Sequence, residues 1–228
     1  LGVGGSQTDA EPHLLMLSAT PIPRTLAMSY LADLDVSTID ELPPGRTPVI
    51  TKLASTSRRD EVLERVRAEV AAGRQVYWVC PLVEESDRID SAVELTAATT
   101  LFEDTQRSLP SLRLGLLHGQ LPPAEKSAVM QSFTAGDVDV LVATTVIEVG
   151  VDVPRASLMV IDHVQRFGLA QLHQLRGRVG RGSGQSYCVL LYDEPLSEVA
   201  RQRLKILFES SDGFEIARQE SRLRGHGE

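Results

Sequence analysis

Residues 122–145 read PPAEKSAVMQSFTAGDVDVLVATT, and the change of pattern inside this stretch decides the fold class. Pro122 and Pro123 open it, which suits the first turn of a helix, where a missing backbone N–H leaves nothing unpaired. The helix they start is expected to stop at Gly136, the residue type that most often closes a helix. Directly beyond it, VDVLVATT (138–145) is an apolar, β-branched run that reads as a buried strand ending on two hydroxyls. Upstream, RRDEVLERVRAEVAAG (58–73) reads as an amphipathic helix stopped at Gly73, and QVYWVCPLV (75–83) as a buried strand. Outward from these, TPVITKL (47–53), LRLGLLHG (112–119), ASLMVIDH (156–163) and SYCVLLYD (186–193) are predicted strands, and SAVELTAATTLFEDTQRSL (91–109) a helix. Short apolar strands alternating with helices imply right-handed βαβ units and a parallel sheet covered on both faces.

The two ends differ from this middle. LGVGGSQTDAEPH (1–13) is a polar, glycine-rich lead-in, LLML (14–17) a short strand, and RTLAMSYLADL (24–34) a helix; Pro21 and Pro23 forbid a smooth helix between them. ELPPGRTPV (41–49) is a Pro/Gly linker and the clearest domain boundary. From Ser197 onward the chain is charged and helical, with no strand.

At 228 residues, with 42% apolar and 24% charged residues, the chain can bury a sizeable core and has ordinary globular composition. It contains no apolar run of membrane-spanning length and opens on no signal peptide. Cys80 and Cys188, its two cysteines, sit in strand-like runs and are expected to be buried, reduced thiols of a cytosolic protein. His118, His163 and His173 lack metal-ligand spacing with them, so no metal site is expected.

A net charge of −8 argues against a generic polyanion binder. The charge is uneven, however. No Asp or Glu occurs from His163 to Tyr192, and within that span QLHQLRGRVGRG (171–182) places Arg176, Arg178 and Arg181 among three glycines. Either this is a local positive field for a phosphate, or it is a solvated basic turn. Because ligands of parallel sheets sit at the carboxyl ends of strands, four places are expected to share one face. These are Ser18-Ala19-Thr20, His118-Gly119, Ala143-Thr144-Thr145 and the loop before 171–182. Around Thr144 and Thr145 the hydroxyls and amides could hold a phosphate; Gly150 allows close backbone approach, and Asp152 adds a carboxylate before Pro154. The competing reading is a strand-to-helix turn with ordinary Thr and Asp caps. His118 is either a phosphate partner or a local backbone partner, SATPIPRT (18–25) a rigid connection or a plain loop, and Trp78 a core residue before it is a stacking platform.

Taken in order, SATP (18–21), the Pro/Gly linker, LHG (117–119), ATTVIEVGVDVP (143–154) and HQLRGRVGRG (173–182) resemble the motifs of superfamily 2 helicases, from the third to the sixth. The resemblance is greatest to the RecG family. It runs from SATPIPRTLAMSYLADLDVSTIDELPPGRTPV (18–49) through RFGLAQLHQLRGRVGRG (166–182) to SDGFEIARQESRLRGHGE (211–228). The Mfd family shares ATPIPRT and RGRVGR, but ELPPGRTPV and VCPLVEES (79–86) look like RecG.

That resemblance implies an α/β, RecA-like second lobe of a P-loop NTPase helicase at 46–195. It also implies a remnant of the first lobe and an interlobe linker at 1–45, and a helical hairpin, the truncated translocation segment, at 196–228. The implied activity is ATP-dependent remodelling of replication forks and Holliday junctions, in the bacterial cytoplasm at the nucleoid. The implied partners are branched double-stranded DNA and the first lobe and wedge domain of the same chain. ATP and Mg²⁺ are held mainly by that first lobe. Ser18, Ala19 and Thr20 match the motif that couples nucleotide state to DNA; His118, Gly119, Thr144 and Thr145 match the grip on the DNA backbone. Gly150 and Asp152 match the motif bordering nucleotide and DNA, while Gln174, Arg178 and Arg181 match the sixth motif, whose arginines reach the ATP phosphates. Arg176 falls at a variable position. An arginine's planar, permanently charged fork suits the charge that spreads over a transferring phosphoryl group, and Gly177 and Gly180 leave the arginines room to approach the neighbouring lobe. Ser221 departs from the apolar residue usual in the tail of the family. No G-x-x-x-x-G-K-[ST] and no acidic motif before SATP occur in the 228 residues, so the chain is expected not to hydrolyse ATP by itself. The alternatives are an Mfd-like translocase lobe, or a non-enzymatic interaction module with the same fold.

Overall fold

The computed structural model describes residue 37 and residues 47–81, 91–144, 152–182, 184–210 and 212–225. The predicted strand at 14–17, the predicted helix at 24–34, residues 41–46 of the linker, and Ser18, Ala19, Thr20, Thr145 and Gly150 lie outside them.

Six parallel strands form one sheet: β1 (Ile50–Ser55), β2 (Gln75–Val79), β3 (Leu114–Leu117), β4 (Val140–Ala143), β5 (Ala156–Ile161) and β6 (Tyr187–Tyr192). Their spatial order is β1-β6-β5-β2-β4-β3. The helices are α1 (Arg59–Ala71), α2 (Ser91–Ser108), α3 (Pro123–Ala135), α4 (Leu169–Arg176), α5 (Glu198–Glu209) and α6 (Gly213–Gly225). Alternation along the strands divides the core in two. Val76, Trp78, Val140, Val142, Leu158 and Val160 pack with Val62, Val66 and Leu101 of α1 and α2. Tyr77, Val79, Leu141, Ala143, Met159 and Ile161 pack instead with Phe133 of α3, Leu172 of α4, Leu207 of α5 and Ile216 of α6. Both faces are therefore covered, which is why the strands read as unbroken apolar runs.

The predicted helix stops are in place: Gly73 and Gly136 adopt left-handed φ values of +76° and +90°. The predicted strand at 75–83 ends earlier, at Val79. Cys80 N–H makes a last bond to Ala143 O (3.0 Å), and Pro81 has no N–H to continue the ladder. Cys80 and Cys188 are buried free thiols, and burial pushes that of Cys188 up to about 12. Among the described residues no helix is long and apolar enough to cross a membrane.

The largest departure from the sequence reading concerns 171–182. Its first half is not a flexible glycine-rich stretch but the end of α4, because Leu169, Leu172 and Leu175 repeat every three residues and bury one stripe against the sheet.

Candidate functional site

Helix α4 begins beyond the carboxyl end of β5 and delivers Gly177 to the amino ends of the strands. There the arginine segment is wedged against backbone. A side chain at Gly180, whose φ is +81°, would sit 2.8 Å from Val49 Cγ2, and one at Gly182 would sit 2.4 Å from Pro154 O. Thr47 Oγ1 donates to Gly184 O (3.4 Å) and Gln185 Nε2 to Pro48 O (2.9 Å), which ties the segment to the residues leading into β1. The loop before 171–182 does stand at the carboxyl edge, but Arg178 and Arg181 do not share that face. The intervening helix, which the sequence reading did not include, carries them to the opposite edge.

Arg181 has a partner for its charge. Arg181 Nη1 lies 3.6 Å from Asp152 Oδ1, with side-chain exposures of 29% and 58%. The Nε of Arg181 is buried and has no hydrogen-bond partner among the described residues. Arg178 is half-buried nearby. Burial pushes the Tyr77 hydroxyl up to about 12, while Arg178 and Arg181 pull it down and Asp152 adds to the rise, which places all three charges around one buried phenol. Gln174 is exposed on α4, one turn before Arg178.

Arg176 has a different fate. It is buried, and its Nη1 donates to Leu207 O (3.0 Å) and Ser210 O (2.9 Å) at the end of α5. Its Nη2 lies 3.1 Å from His173 Nδ1. Burial, with the Arg176 charge second, lowers the His173 pKa, so the neutral ring accepts this bond. Arg176 is thus the pin that fastens the α5–α6 pair to α4.

At the carboxyl edge, His118 follows β3 and Thr144 follows β4. Both are buried, and Thr144 N–H donates to Leu117 O (3.1 Å). His118 Nδ1 has no hydrogen-bond partner among the described residues. Gly119 O accepts from Lys126 Nζ at 2.5 Å. His118, Gly119 and Thr144 therefore come together on the neighbouring strands β3 and β4, apart from Asp152, Arg178 and Arg181.

The sequence reading missed a cluster on the same edge. Asp162, almost fully buried at the end of β5, accepts from Trp78 Nε1 (3.3 Å) and pairs with Arg59 at 2.8 Å. The Arg59 guanidinium lies 5.0 Å from the centre of the Trp78 ring. His163 Nδ1 is 2.5 Å from Asp193 Oδ2, which also accepts from Gln165 (2.8 Å). The polar pair Asp162-His163 closing an apolar strand was the one available signal.

A profile for the helicase conserved C-terminal domain matches residues 55–183, more than half of the chain. The chain belongs to that family. This helicase lobe is 59% identical over 219 residues to the ATP-dependent DNA helicase RecG of Acidithiobacillus ferridurans, covering 96% of the lobe and 31% of that protein. It is 56% identical over 225 residues to RecG of Escherichia coli K12, covering 98% of the lobe and 32% of that protein. A solved structure of RecG bound to a three-way DNA junction superposes with a TM-score of 0.76 at 46% identity, covering 92% of the lobe and 27% of that chain. The lobe thus spans about a third of the length of the curated relatives it matches. The matched span takes in both edges, from the end of β1 to the arginine segment.

Proposed function

We propose that this chain is the second motor lobe of an ATP-dependent DNA helicase of the RecG kind, and that the whole enzyme remodels replication forks and Holliday junctions. On this reading residues 1–45 are first-lobe remnant and linker, 46–195 the RecA-like lobe and 196–228 a helical segment that moves on duplex DNA. The enzyme works in the bacterial cytoplasm at the nucleoid. RecG bound to a three-way junction is the structural relative that supports branched DNA as the substrate.

The observation that carries the proposal is Arg181. Its Nε is a buried donor without a hydrogen-bond partner among the described residues, and its Nη1 lies 3.6 Å from one exposed carboxylate. A loose, half-exposed ion pair of this kind contributes little. A polyphosphate accepts bidentate, charge-assisted bonds and displaces it. The donor set therefore fits ATP phosphates: Arg178 and Arg181 would bind and orient them across the cleft from the first lobe, and Asp152 holds Arg181 in place until they arrive. ATP supplies the free energy of phosphoryl transfer to water. Mg²⁺, which the resemblance to the RecG family implies, is assigned on this reading mainly to the first lobe. His118, Gly119, Thr144 and Thr145 grip the DNA backbone, Gly150 and Asp152 border nucleotide and DNA, Gln174 lines the nucleotide side, and Ser18, Ala19 and Thr20 couple the two lobes.

The test is a chimera in which these 228 residues replace the matching segment of Escherichia coli RecG. Fork-stimulated ATP hydrolysis is expected in the chimera and absent from the isolated chain. Arg178→Ala and Arg181→Ala are each expected to abolish hydrolysis while fork binding persists. Normal hydrolysis in both variants overturns the assignment.

A further inference from the structure

The carboxyl edge holds a cleft of about 450 Å³ whose walls include Arg59, Pro81, Asp104, Asp162, His163 and Arg166. Its acids are already committed. Asp162 takes Arg59 and Trp78, and Asp104 pairs with Arg107. His163 is held through Nδ1 by Asp193, with its Nε2 4.0 Å from Asp162 Oδ1. One cation is left over: Arg166 is exposed and has neither an ion pair nor a side-chain hydrogen bond among the described residues. The backbone is bent to present it. His163 adopts a left-handed φ of +47° and starts the 3-10 turn Val164–Arg166. A histidine in that region stores strain, and such strain concentrates at ligand sites.

The geometry points to a phosphodiester site here: Arg166, with the outer face of Arg59, binds one phosphate of a DNA strand lying along the carboxyl edge. The strands β5, β2, β4 and β3 are consecutive neighbours, so beyond the cleft at β5 and β2 the next two strands end in Thr144 and His118 on the same edge. Three interstrand steps of about 4.8 Å give a track of ~14 Å, roughly four nucleotides of rise at 3.4 Å each. The inference rests on the reading of His118 and Thr144 as backbone grips and extends it to the far side of β2.

Trp78, the sole tryptophan of the chain, reports on the site, because a phosphate that draws Arg59 off the ring alters its fluorescence. The chain is titrated at low salt with a forked duplex, with inorganic phosphate and with ATP, following Trp78 emission and, by anisotropy of labelled DNA, affinity. The fork is expected to change Trp78 emission, and the two small anions are not. Arg166→Ala is expected to weaken fork binding about tenfold and to reduce the slope of log affinity against log salt by about one, with an unchanged unfolding midpoint. If the fork does not bind at all, the backbone-grip reading and this site fall together. If the fork binds and His118→Gln weakens it while Arg166→Ala changes neither affinity, slope nor emission, only the Arg166 site is overturned. If phosphate alone reproduces the full change in Trp78, the cleft takes free anions and the DNA assignment is overturned. If Arg166→Ala weakens binding and His118→Gln does not, the Arg166 site stands and the His118 grip falls.

Discussion

The two edges of the sheet use arginine in opposite ways. At the amino edge, Arg181 stands between Gly180 and Gly182, which lie close against Val49 and Pro154, and makes one loose contact to Asp152. At the carboxyl edge, Arg166 stands in an open cleft whose acids are already paired. Between them Arg176 is wholly enclosed and spends its donors on carbonyls of α5. The difference lies in the surrounding backbone, not in the residue. A half-buried guanidinium whose Nε has no partner among the described residues suits a small, rigid polyphosphate, and an exposed one suits a long polyanion bound in part through counterion release. The eight residues of α4, about 12 Å long, connect the carboxyl-edge segment that carries Arg166 to the amino-edge segment that carries Arg181.

The sharpest way to break this contrast is to exchange the readouts. In the RecG chimera, Arg181→Ala is expected to cost about 10³-fold or more in fork-stimulated hydrolysis, equivalent to roughly 4 kcal/mol of barrier, with fork affinity within about threefold. Arg166→Ala is expected to weaken fork binding about tenfold and to leave hydrolysis at saturating fork within about threefold, and a loss of both properties in either variant would erase the distinction. Next in size is Arg176→Ala, which leaves the Leu207 and Ser210 carbonyls without this donor. A loss of about 3 kcal/mol in urea unfolding is expected. Arg176→Lys is expected to recover only part of it, since an ammonium lacks the spread of the guanidinium fork. A loss under 1 kcal/mol would make the α5–α6 pair independent of α4. The rigidity of the amino edge is tested by Gly182→Ala, whose new methyl would meet Pro154 O at 2.4 Å. About 2 kcal/mol is expected, against less than about 0.5 kcal/mol for Gly184→Ala, which meets nothing within 4 Å.

The smallest effect is a pH dependence. Burial, and after it Arg176, lower the His173 pKa in the folded lobe relative to 6.5. Above pH 6.5 both states are neutral and the group contributes nothing. Below it the unfolded chain gains a proton that the folded lobe resists, so stability falls as pH drops toward the folded value. Urea midpoints at pH 7.5 and 5.5 should differ in the native lobe and converge in His173→Gln. An unchanged difference would mean that other groups titrate.

The parallel sheet was legible because each strand, buried on both faces, spells its own apolar run, and Gly73 and Gly136 mark where helices stop. The arginine segment was less so. Three arginines and three glycines in twelve residues suggest a loop, and they hide the Leu169–Leu172–Leu175 stripe that makes half of it helical. The Asp152–Arg181 pair joins residues 29 positions apart across a crossover, which no local pattern reveals. The cluster of Arg59, Trp78 and Asp162 was hidden for the same reason, since it draws on α1, β2 and β5.

The strand order has one more consequence, for how the lobe is made. β1 is the first strand in the described chain and sits at one margin of the described sheet, where its one neighbour among the described residues is β6, with Ile50 opposite Tyr187. On the ribosome, at about 5–20 residues per second, the 137 residues from Thr51 to Tyr187 take roughly 7–27 s to synthesise. β2, β3, β4 and β5 can pair before then. β1 waits for its partner β6 until that strand emerges, so closure of this end of the sheet is a late, long-range event of the slow kind expected for parallel pairing.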